Sequence, residues 1–300
     1  MTSNKPRVGF IGLGLMGHGM AKNLVGKGFP LTVRVHRNRK PAEDILAAGA
    51  KEVKTNAELA QVSDVVILCV TGSPQIEEII YGDQGIMSVA REGLVVIDTS
   101  TAEPASTAKI RDDLAKKGTK YVDAPLARTP KEAEEGRLNT MVGADDATFA
   151  QVKPVLAAYC ENVIHVGPPG HGHMLKLINN FIAQAIATAT AEACAACAKS
   201  GVSIRKLHEL ISAGAVNSGI FQMMVGRMLE GDMAGLKFTL VNAMKDLRYY
   251  THFAESLPVP AIVGEAVHQS LVNANLLGFG DKYVASLIEA QEKLAGVKIR

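Results

Sequence analysis

Short apolar runs alternate with amphipathic segments along the first half of the chain. The continuous apolar runs at residues 65–68 and 94–97 are typical of strands that are covered on both faces of a parallel sheet. Because strands that alternate with helices are joined by right-handed crossovers, we predict an open parallel sheet. The predicted strands are 7–11, 31–35, 64–70, 94–98, 120–123 and 139–142, and the predicted helices include 16–25, 43–48 and 104–116.

After residue 165 the apolar positions recur with helical spacing, and glycines separate the segments. We place a domain boundary near the sequence Gly167-Pro168-Pro169-Gly170, with an α/β domain over 1–166 and an all-helical domain over 167–300. Segment 181–198 carries small or apolar residues on nearly every side, which predicts a long buried helix. The predicted helices of this half are 174–200, 204–213, 221–230, 240–255, 258–275 and 281–295.

Composition removes several classes of protein from consideration. The 300 residues carry a net charge of +2, their basic residues are scattered and tryptophan is absent, so a nucleic-acid partner is not expected. The four cysteines show no framework spacing, which favours a reducing compartment and a cytoplasmic location. The N-terminus lacks the pattern of a signal peptide. Polar and acidic residues interrupt the most apolar stretch, so a membrane partner is not expected either.

The first predicted strand ends in a glycine-rich motif, Gly12-Leu13-Gly14-Leu15-Met16-Gly17, and a helix follows it directly. In this context G-x-G-x-x-G predicts a dinucleotide site, where the first glycine makes the turn, the second admits the pyrophosphate and the third lets the helix pack on the strand. The helix N-terminus adds amide donors for the phosphates. The alternative is a glycine-rich turn that binds nothing. Val70 and Thr71, where another predicted strand ends, are further candidates for cofactor binding.

The end of the second strand bears on the choice of cofactor. An acid roughly 20 residues after the glycine motif would bind the ribose 2′-hydroxyl of NAD. The chain instead has His36-Arg37-Asn38-Arg39-Lys40 at this position. Since arginine can bind a 2′-phosphate through two parallel hydrogen bonds, we predict NADP(H), with NAD(H) as the alternative, and Arg37, Asn38 and Arg39 as contacts. These residues could also be solvated charges on an exposed turn.

A candidate catalytic pair follows the predicted boundary, on the first turns of the long helix. Lys176 and Asn180 are four residues apart, so both side chains face the same way. Hydride transfer needs a group that holds the carbonyl oxygen and exchanges a proton with it, and a partly buried lysine can do so. An amide one turn away can hold the same substrate without adding charge. A structural lysine is the alternative.

Five segments along the chain carry a common pattern: Phe10-Ile-Gly-Leu-Gly-Leu-Met-Gly-His-Gly-Met-Ala21, Asp98-Thr-Ser100-Thr101 with Pro104, Asp123-Ala-Pro125 with 136–143, Gly170-His-Gly172-x3-Lys176-x3-Asn180, and Lys245-Asp246-Leu247. Together these motifs resemble the β-hydroxyacid dehydrogenase family, of which 3-hydroxyisobutyrate dehydrogenase is the best-known member. The resemblance implies a Rossmann domain joined by a long helix to an all-α C-terminal domain, often as homodimers or homotetramers. It implies reversible oxidation of a 3-hydroxy acid, with Lys176 as general acid/base and Asn180 as its partner.

One segment departs from the family pattern. After Asp123-Ala-Pro125 the family usually has Val-Ser-Gly-Gly, whereas this chain has Leu126-Ala127-Arg128-Thr129. The change is similar to the Gly-Arg-Thr of sulfolactaldehyde reductases, in which the arginine holds the sulfonate. Arg128 is therefore predicted to bind a sulfonate, phosphate or carboxylate, unless it points to solvent or pairs with an acid such as Glu132. The candidates for substrate binding are Ser100, Thr101, Arg128, Thr129 and Lys245, of which Thr101 and Lys245 are also assigned to the cofactor.

Two other patterns are given structural roles. Cys194 and Cys197 lie well inside an alanine-rich helix and are interpreted as packing residues. His171 and His173 have no third ligand nearby, so no metal is expected, and we predict that both line the domain cleft.

The sequence thus predicts an NADP(H)-dependent dehydrogenase of small anionic 3-hydroxy acids or their aldehydes. A non-catalytic NADP-binding sensor and an imine reductase are the alternatives, and Lys176 counts against both.

Overall fold

A computed structural model describes residues 5–36 and 38–299. The chain divides into two compact units, residues 1–176 and 177–300. The division falls inside one continuous helix of 29 residues, His171–Lys199. The boundary predicted at residues 166–167 lies before this division, at the end of the strand Cys160–Gly167.

The first unit is built on a single sheet, with nine strands among the residues that the structure describes. The strands are β1 (Val8–Ile11), β2 (Leu31–Arg34), β3 (Lys51–Val53), β4 (Val65–Leu68), β5 (Val95–Asp98), β6 (Lys120–Asp123), β7 (Leu126–Ala127), β8 (Leu138–Gly143) and β9 (Cys160–Gly167). Their order across the sheet is β3-β2-β1-β4-β5-β6-β8-β7, and β9 pairs with β8.

The sheet is parallel from β3 to β6, as predicted, but β8 runs antiparallel to both β6 and β7. This antiparallel part differs from the predicted open parallel sheet. A parallel crossover needs about a dozen residues or more. Segment 128–137, which joins β7 to β8, is shorter than that, so the chain turns back on itself.

The carboxyl ends of the central strands are aligned. Ile11 of β1 is in register with Leu68 of β4, Leu68 with Asp98 of β5, and Asp98 with Asp123 of β6. The loops that follow these four strands therefore leave the sheet along one edge. Ligands of open parallel sheets bind at this edge, outside the carboxyl ends of the strands.

Helices cover both faces of the sheet, which explains why its central strands are continuously apolar. Phe10 and Ile97 belong to one buried cluster, whereas Leu68 and Val96 belong to a second. The helices of this unit are α1 (Gly17–Gly26), α2 (Glu43–Ala47), α3 (Asn56–Val62), α4 (Ser73–Tyr81), α5 (Pro104–Ala115), α6 (Pro130–Glu134) and α7 (Asp146–Leu156).

The second unit is helical and has its own core, in which Cys194, Met224, Leu247 and Leu271 are fully buried. The predicted class, an α/β domain followed by a helical domain along a long helix, is confirmed. The helices are α8 (His171–Lys199, which starts in the first unit), α9 (Ile204–Ser212), α10 (Gly219–Phe221), α11 (Arg227–Leu229), α12 (Leu240–Ser256), α13 (Ile262–Ala274) and α14 (Leu287–Ala295). A π-helical turn, Gln222–Gly226, separates α10 from α11.

Helix α8 is long and apolar enough to cross a membrane, and among the described residues it is the one helix that meets this criterion. A single such helix is weak evidence for a membrane span, because the core helix of a soluble protein has the same properties. Ala187, Ala191 and Cys194 of α8 lie in the buried cluster of the second unit. The helix therefore serves as a core helix, as its small residues predict.

Candidate active site

The glycine loop after β1 contains two positions that only glycine fits. Gly12 has φ +105°, and a Cβ atom there would lie 2.1 Å from the carbonyl oxygen of Cys69. A Cβ atom on Gly17 would lie 1.9 Å from the carbonyl oxygen of Gly12. Gly14 differs, because no atom lies within 4 Å of its Cβ position. Packing explains Gly12 and Gly17, whereas Gly14 faces space that a ligand can occupy.

The start of α1 suits the pyrophosphate of a dinucleotide. Within the described part of the chain, no side chain caps this helix end, and its first turn holds no acid. The helix dipole and the N–H groups at the helix start therefore favour an anion. Leu15 is 68% exposed beside Gly14, while Leu13 and Met16 pack against the sheet core.

The loop after β2 contains the residues predicted to select the cofactor. His36, Asn38 and Arg39 are exposed, whereas Arg37 lies outside the described residues. Arg39 makes two 2.8 Å hydrogen bonds to the carboxylate of Glu52 on β3. The guanidinium of Arg39 is thus engaged by an acid. Its contact with a 2′-phosphate stays a prediction, as does that of Arg37.

His18, directly after the glycine motif, links helix α1 to helix α6. Its Nδ1 lies 2.5 Å from Glu134 of α6, and its Nε2 lies 3.0 Å from Asp44 of α2. Partial burial lowers the pKa of His18, but the two carboxylates raise it more, so the net pKa is raised. Gly19 lets α6 approach, since a Cβ atom there would lie 2.6 Å from the carbonyl oxygen of Ala133. Helix α6 is therefore attached to the helix that follows the cofactor loop.

A buried polar group joins the loops after β4 and β5. The backbone N–H of Val70 donates to Ser100 Oγ at 3.0 Å, and the backbone N–H of Ser100 donates to Asp98 Oδ1 at 2.9 Å. Tyr121 donates to Asp98 Oδ2 at 2.7 Å, and burial together with Asp98 raises the pKa of Tyr121 well above its usual value. Two candidates near this group differ in exposure, since Thr101 is half-buried and Thr71 exposed.

The loop after β7 holds Arg128 in an unusual conformation. Its φ is +83°, a value that favours glycine, and the family pattern has glycine at this position. The guanidinium donates to the carbonyl oxygen of Arg137 at 2.5 Å and forms an ion pair with Glu161 of β9. The acid suggested by the sequence, Glu132, instead accepts a 3.0 Å hydrogen bond from the backbone N–H of Thr129 at the start of α6.

Lys176 reaches the segment that follows β6. Its Nζ donates to the carbonyl oxygen of Leu126 at 2.6 Å. His173, one turn earlier, is fully buried, and its Nδ1 lies 2.7 Å from Thr107 Oγ1. The prediction that His173 lines a cleft is therefore wrong, because its side chain packs into the interior of the first unit, where Nδ1 has a partner and Nε2 lies 3.6 Å from Asp98 Oδ2 without a hydrogen bond.

Asn180 and Lys245 are brought together in the second unit by Asp246. Asn180 Nδ2 donates to Asp246 Oδ2 at 2.6 Å, and Lys245 Nζ lies 2.8 Å from Asp246 Oδ1. Asp246 is almost fully buried. Asp246 is not among the predicted site residues, although its place next to Lys245 in the motif Lys245-Asp246-Leu247 could have identified it.

Histidine, cysteine and acidic side chains do not come together as a metal site in the part of the chain that the structure describes. All four cysteines are free thiols, and burial raises the pKa of Cys160 and of Cys194 to about 12.

Comparison with known proteins agrees with this geometry. Residues 7–167 match the family described as the NAD binding domain of 6-phosphogluconate dehydrogenase. Residues 170–290 match the NAD-binding family of NADP-dependent 3-hydroxyisobutyrate dehydrogenase. The chain is 30% identical to 2-(hydroxymethyl)glutarate dehydrogenase of Eubacterium barkeri, with 98% of this chain and 97% of the relative aligned. It is also 30% identical to 2-hydroxy-3-oxopropionate reductase of Escherichia coli, over 98% and 99% of the two chains.

Two further proteins extend this comparison. The 3-sulfolactaldehyde reductase of Escherichia coli is 28% identical, over 97% of each chain. The crystal structure of 3-hydroxyisobutyrate dehydrogenase from Salmonella typhimurium superimposes with a TM-score of 0.82 at 26% identity, covering 94% of this chain and 99% of that one. The fold and the matches over the full length define a nicotinamide-dependent oxidoreductase. The chain belongs to the β-hydroxyacid dehydrogenase family.

Proposed function

We propose that this enzyme is an NADP(H)-dependent dehydrogenase of short 3-hydroxy acids, or a reductase of the corresponding aldehydes, whose substrates carry a carboxylate, sulfonate or phosphate. The contact between Lys176 Nζ and the carbonyl oxygen of Leu126 supports this proposal above all. It holds an ammonium group at the first residue of β7, three residues after the carboxyl end of β6, and ligands of parallel sheets bind at the carboxyl ends of the strands.

Lys176 acts as the proton donor and acceptor at the substrate oxygen. A bound nicotinamide cofactor supplies or accepts the hydride at the adjacent carbon. The ammonium group donates a hydrogen bond to the carbonyl oxygen and transfers a proton to it during reduction, and the neutral amine takes that proton back during oxidation. Asn180, one turn further along α8, orients the same oxygen. Its amide nitrogen is fixed by the 2.6 Å hydrogen bond to Asp246, so the amide does not rotate freely.

Arg128 recognises the anionic group of the substrate. A non-glycine residue at φ +83° costs roughly 1–2 kcal/mol relative to ordinary backbone, and such strain is concentrated at functional positions. The arginine fork suits carboxylate, sulfonate and phosphate alike. Ser100, Thr101 and Thr129 are proposed to complete the anion site. Lys245, which is paired with Asp246, is proposed to contact both substrate and cofactor.

NADP(H) is proposed over NAD(H) because the loop after β2 contains no acid that would repel a 2′-phosphate. Gly12, Gly14 and Gly17 are proposed to cradle the pyrophosphate with Leu13, Leu15 and Met16. Val70, Thr71 and Thr101 are proposed to contact the cofactor where the next strands end. Comparing the KM values for NADPH and NADH tests the preference, and a lower KM for NADH would contradict it.

A homodimer or homotetramer is also proposed, because the family resemblance implies one and several large apolar side chains of the second unit are between 72% and 79% exposed. Light scattering on the purified protein checks the assembly. A cytoplasmic location is proposed from the four free thiols. The exposed side chains are Leu210, Val216, Ile262 and Leu276.

The decisive experiment is a Lys176→Ala variant assayed by nicotinamide absorbance. The panel contains 3-hydroxyisobutyrate, 2-(hydroxymethyl)glutarate, 2-hydroxy-3-oxopropionate and 3-sulfolactaldehyde, each with both cofactors. Loss of the general acid should lower kcat by about 10²–10⁴-fold and leave cofactor binding intact. Lys199→Ala is the matched control, because Lys199 lies on the same helix and also donates to a backbone carbonyl, that of Ala295.

Three results would contradict the proposal. A Lys176→Ala variant as active as wild type would exclude the assigned mechanism. A wild type that binds NADPH but turns over no member of the panel would favour a nucleotide-binding sensor. An enzyme that reduces imines but no aldehyde of the panel would favour imine reduction.

A further inference from the structure

The carboxylate of Asp123 caps the helix that carries Lys176. Asp123 ends β6, and its side chain is fully buried. Its Oδ1 accepts a hydrogen bond from the backbone N–H of Gly170 at 2.6 Å, and its Oδ2 accepts one from that of His173 at 2.9 Å. The N–H groups at a helix start have no partner within the helix. Because Gly170 has no side chain with which to cap α8, a carboxylate 47 residues away in sequence does so.

Two glycines leave the space that this carboxylate occupies. Gly143 pairs with Asp123 across β6 and β8, and a Cβ atom on it would lie 2.6 Å from Oδ1 and 2.7 Å from Oδ2. A Cβ atom on Gly172 would lie 2.8 Å from Oδ2 and 2.5 Å from the carbonyl oxygen of Met141. A side chain at either position would push the carboxylate off the helix. Three residues from separate segments of the chain, Asp123, Gly143 and Gly172, are thus in contact at the start of α8.

The segment that begins with Asp123 also holds the tip of Lys176. The carbonyl oxygen of Leu126 accepts the hydrogen bond from Nζ, so one short segment contacts α8 at its first turn and at its lysine. The segment is itself fixed to the sheet. The backbone N–H of Ala124 donates to the carbonyl oxygen of Asp98 at 2.7 Å, and Thr140 Oγ1 donates to that of Ala124 at 2.8 Å. The position of Lys176 Nζ is therefore fixed relative to the end of β6.

We propose that Asp123 is a positioning residue for proton transfer: its carboxylate fixes the start of α8 so that Lys176 Nζ lies where the substrate oxygen binds. The proposal rests on the assigned role of Lys176. It predicts that weakening the cap lowers turnover more than it lowers cofactor affinity, because a displacement of about 1 Å at a reacting group costs on the order of 10²-fold in rate.

Asp123→Asn is the sharpest test. The amide has the shape of the carboxylate but only one acceptor, so its NH2 group faces either the N–H of Gly170 or that of His173, donor against donor. We expect kcat to fall by about 10–100-fold on the best substrate of the panel, with the KM for NADPH within about twofold of wild type. Hydrogen–deuterium exchange, measured without substrate, should be faster at residues 170–175.

Three further variants separate positioning from a general loss of stability. Gly172→Ala leaves Asp123 in place but displaces its carboxylate, so it should reproduce the fall in kcat. The double variant should lose no more than the more damaged single variant, since both act on one contact. Asp145→Ala is the matched control. Asp145 caps α7 through a 2.8 Å hydrogen bond from the backbone N–H of Thr148, and α7 carries no predicted site residue. It should lower Tm but keep kcat.

The outcomes can be told apart. Faster exchange at residues 170–175 with an unchanged kcat would reduce Asp123 to a structural cap and overturn the proposal. An equal loss of kcat in Asp145→Ala would do the same. If Lys176→Ala keeps wild-type activity, the proposed function fails and the positioning role fails with it, while the exchange measurement still reports whether Asp123 caps the helix.

Discussion

Gly14 and Gly17 lie three residues apart in one motif, yet replacing them with alanine should have opposite consequences. The Cβ atom of Gly17→Ala would lie 1.9 Å from the carbonyl oxygen of Gly12, and backbone cannot yield as a side chain can. Overpacking of this kind costs about 1–3 kcal/mol or more. The Cβ atom of Gly14→Ala meets nothing within 4 Å, so its effect on the free energy of unfolding should stay within about 0.5 kcal/mol.

Cofactor binding should rank the two variants in the other order. The methyl group of Gly14→Ala occupies the space beside the start of α1, where we place the pyrophosphate. Losing one hydrogen bond to a charged group costs about 1.5–3 kcal/mol, which corresponds to a rise of about 10- to 150-fold in the Kd for NADPH. Whatever fraction of Gly17→Ala remains folded keeps that space open.

The assay combines thermal unfolding with titration calorimetry. The Tm of Gly14→Ala should lie within about 2 °C of wild type. The Tm of Gly17→Ala should fall by about 2–4 °C for each kcal/mol by which the free energy of unfolding decreases. Since the chain contains no tryptophan, the fluorescence of NADPH gives an independent binding signal free of tryptophan emission. A Gly14→Ala variant that binds NADPH as tightly as wild type would refute the placement of the pyrophosphate. Equal destabilisation by both substitutions would refute the steric argument.

Two further predictions concern the charged contacts of the first unit. Glu161→Gln removes the acid that competes with substrate for Arg128. The KM for an anionic substrate should therefore fall severalfold, whereas the KM for NADPH should not change. An unchanged substrate KM would show that Arg128 does not leave Glu161 to bind substrate. The pKa of His18 is raised above its ordinary 6.5, so its ion pairs stabilise the fold fully below pH 6.5 and this contribution is lost as the pH rises through the folded pKa. The difference in Tm between wild type and His18→Gln should therefore be largest at pH 6 and shrink towards pH 9, and a difference that grows with pH would contradict the assignment.

Local patterns predicted the parts of the fold that local physics determines. Runs such as Val65–Leu68 and Val95–Asp98 are apolar throughout because both faces of the sheet are covered. The strand β9 was missed because Glu161 and Asn162 are exposed and its pattern is that of a solvated edge. The strand Lys51–Val53 was missed for a similar reason, since its three residues are exposed or half-buried and carry little apolar signal.

The site shows the same division between local and distant contacts. The glycine loop could be predicted because its steric demands lie within a few residues. The partner of Arg128 could not, since Glu161 is 33 residues away and Glu132 is much closer in sequence. Asp123 was noted as part of a motif, but its hydrogen bonds to the start of α8 depend on how the sheet and the helix meet. Sequence patterns supply the residue types, and the fold decides which of them touch.

The positive φ of Arg128 bears on how such an enzyme changes its substrate. Leu126 is paired with Thr140 in the sheet, and Thr129 begins α6, so both ends of the loop are anchored. Between these anchors the backbone keeps a conformation that accepts glycine, while the side chain at Arg128 can vary. If Arg128 binds the substrate anion as proposed, we expect that replacing two or three residues of this loop changes the anion preference and leaves the scaffold on either side unchanged.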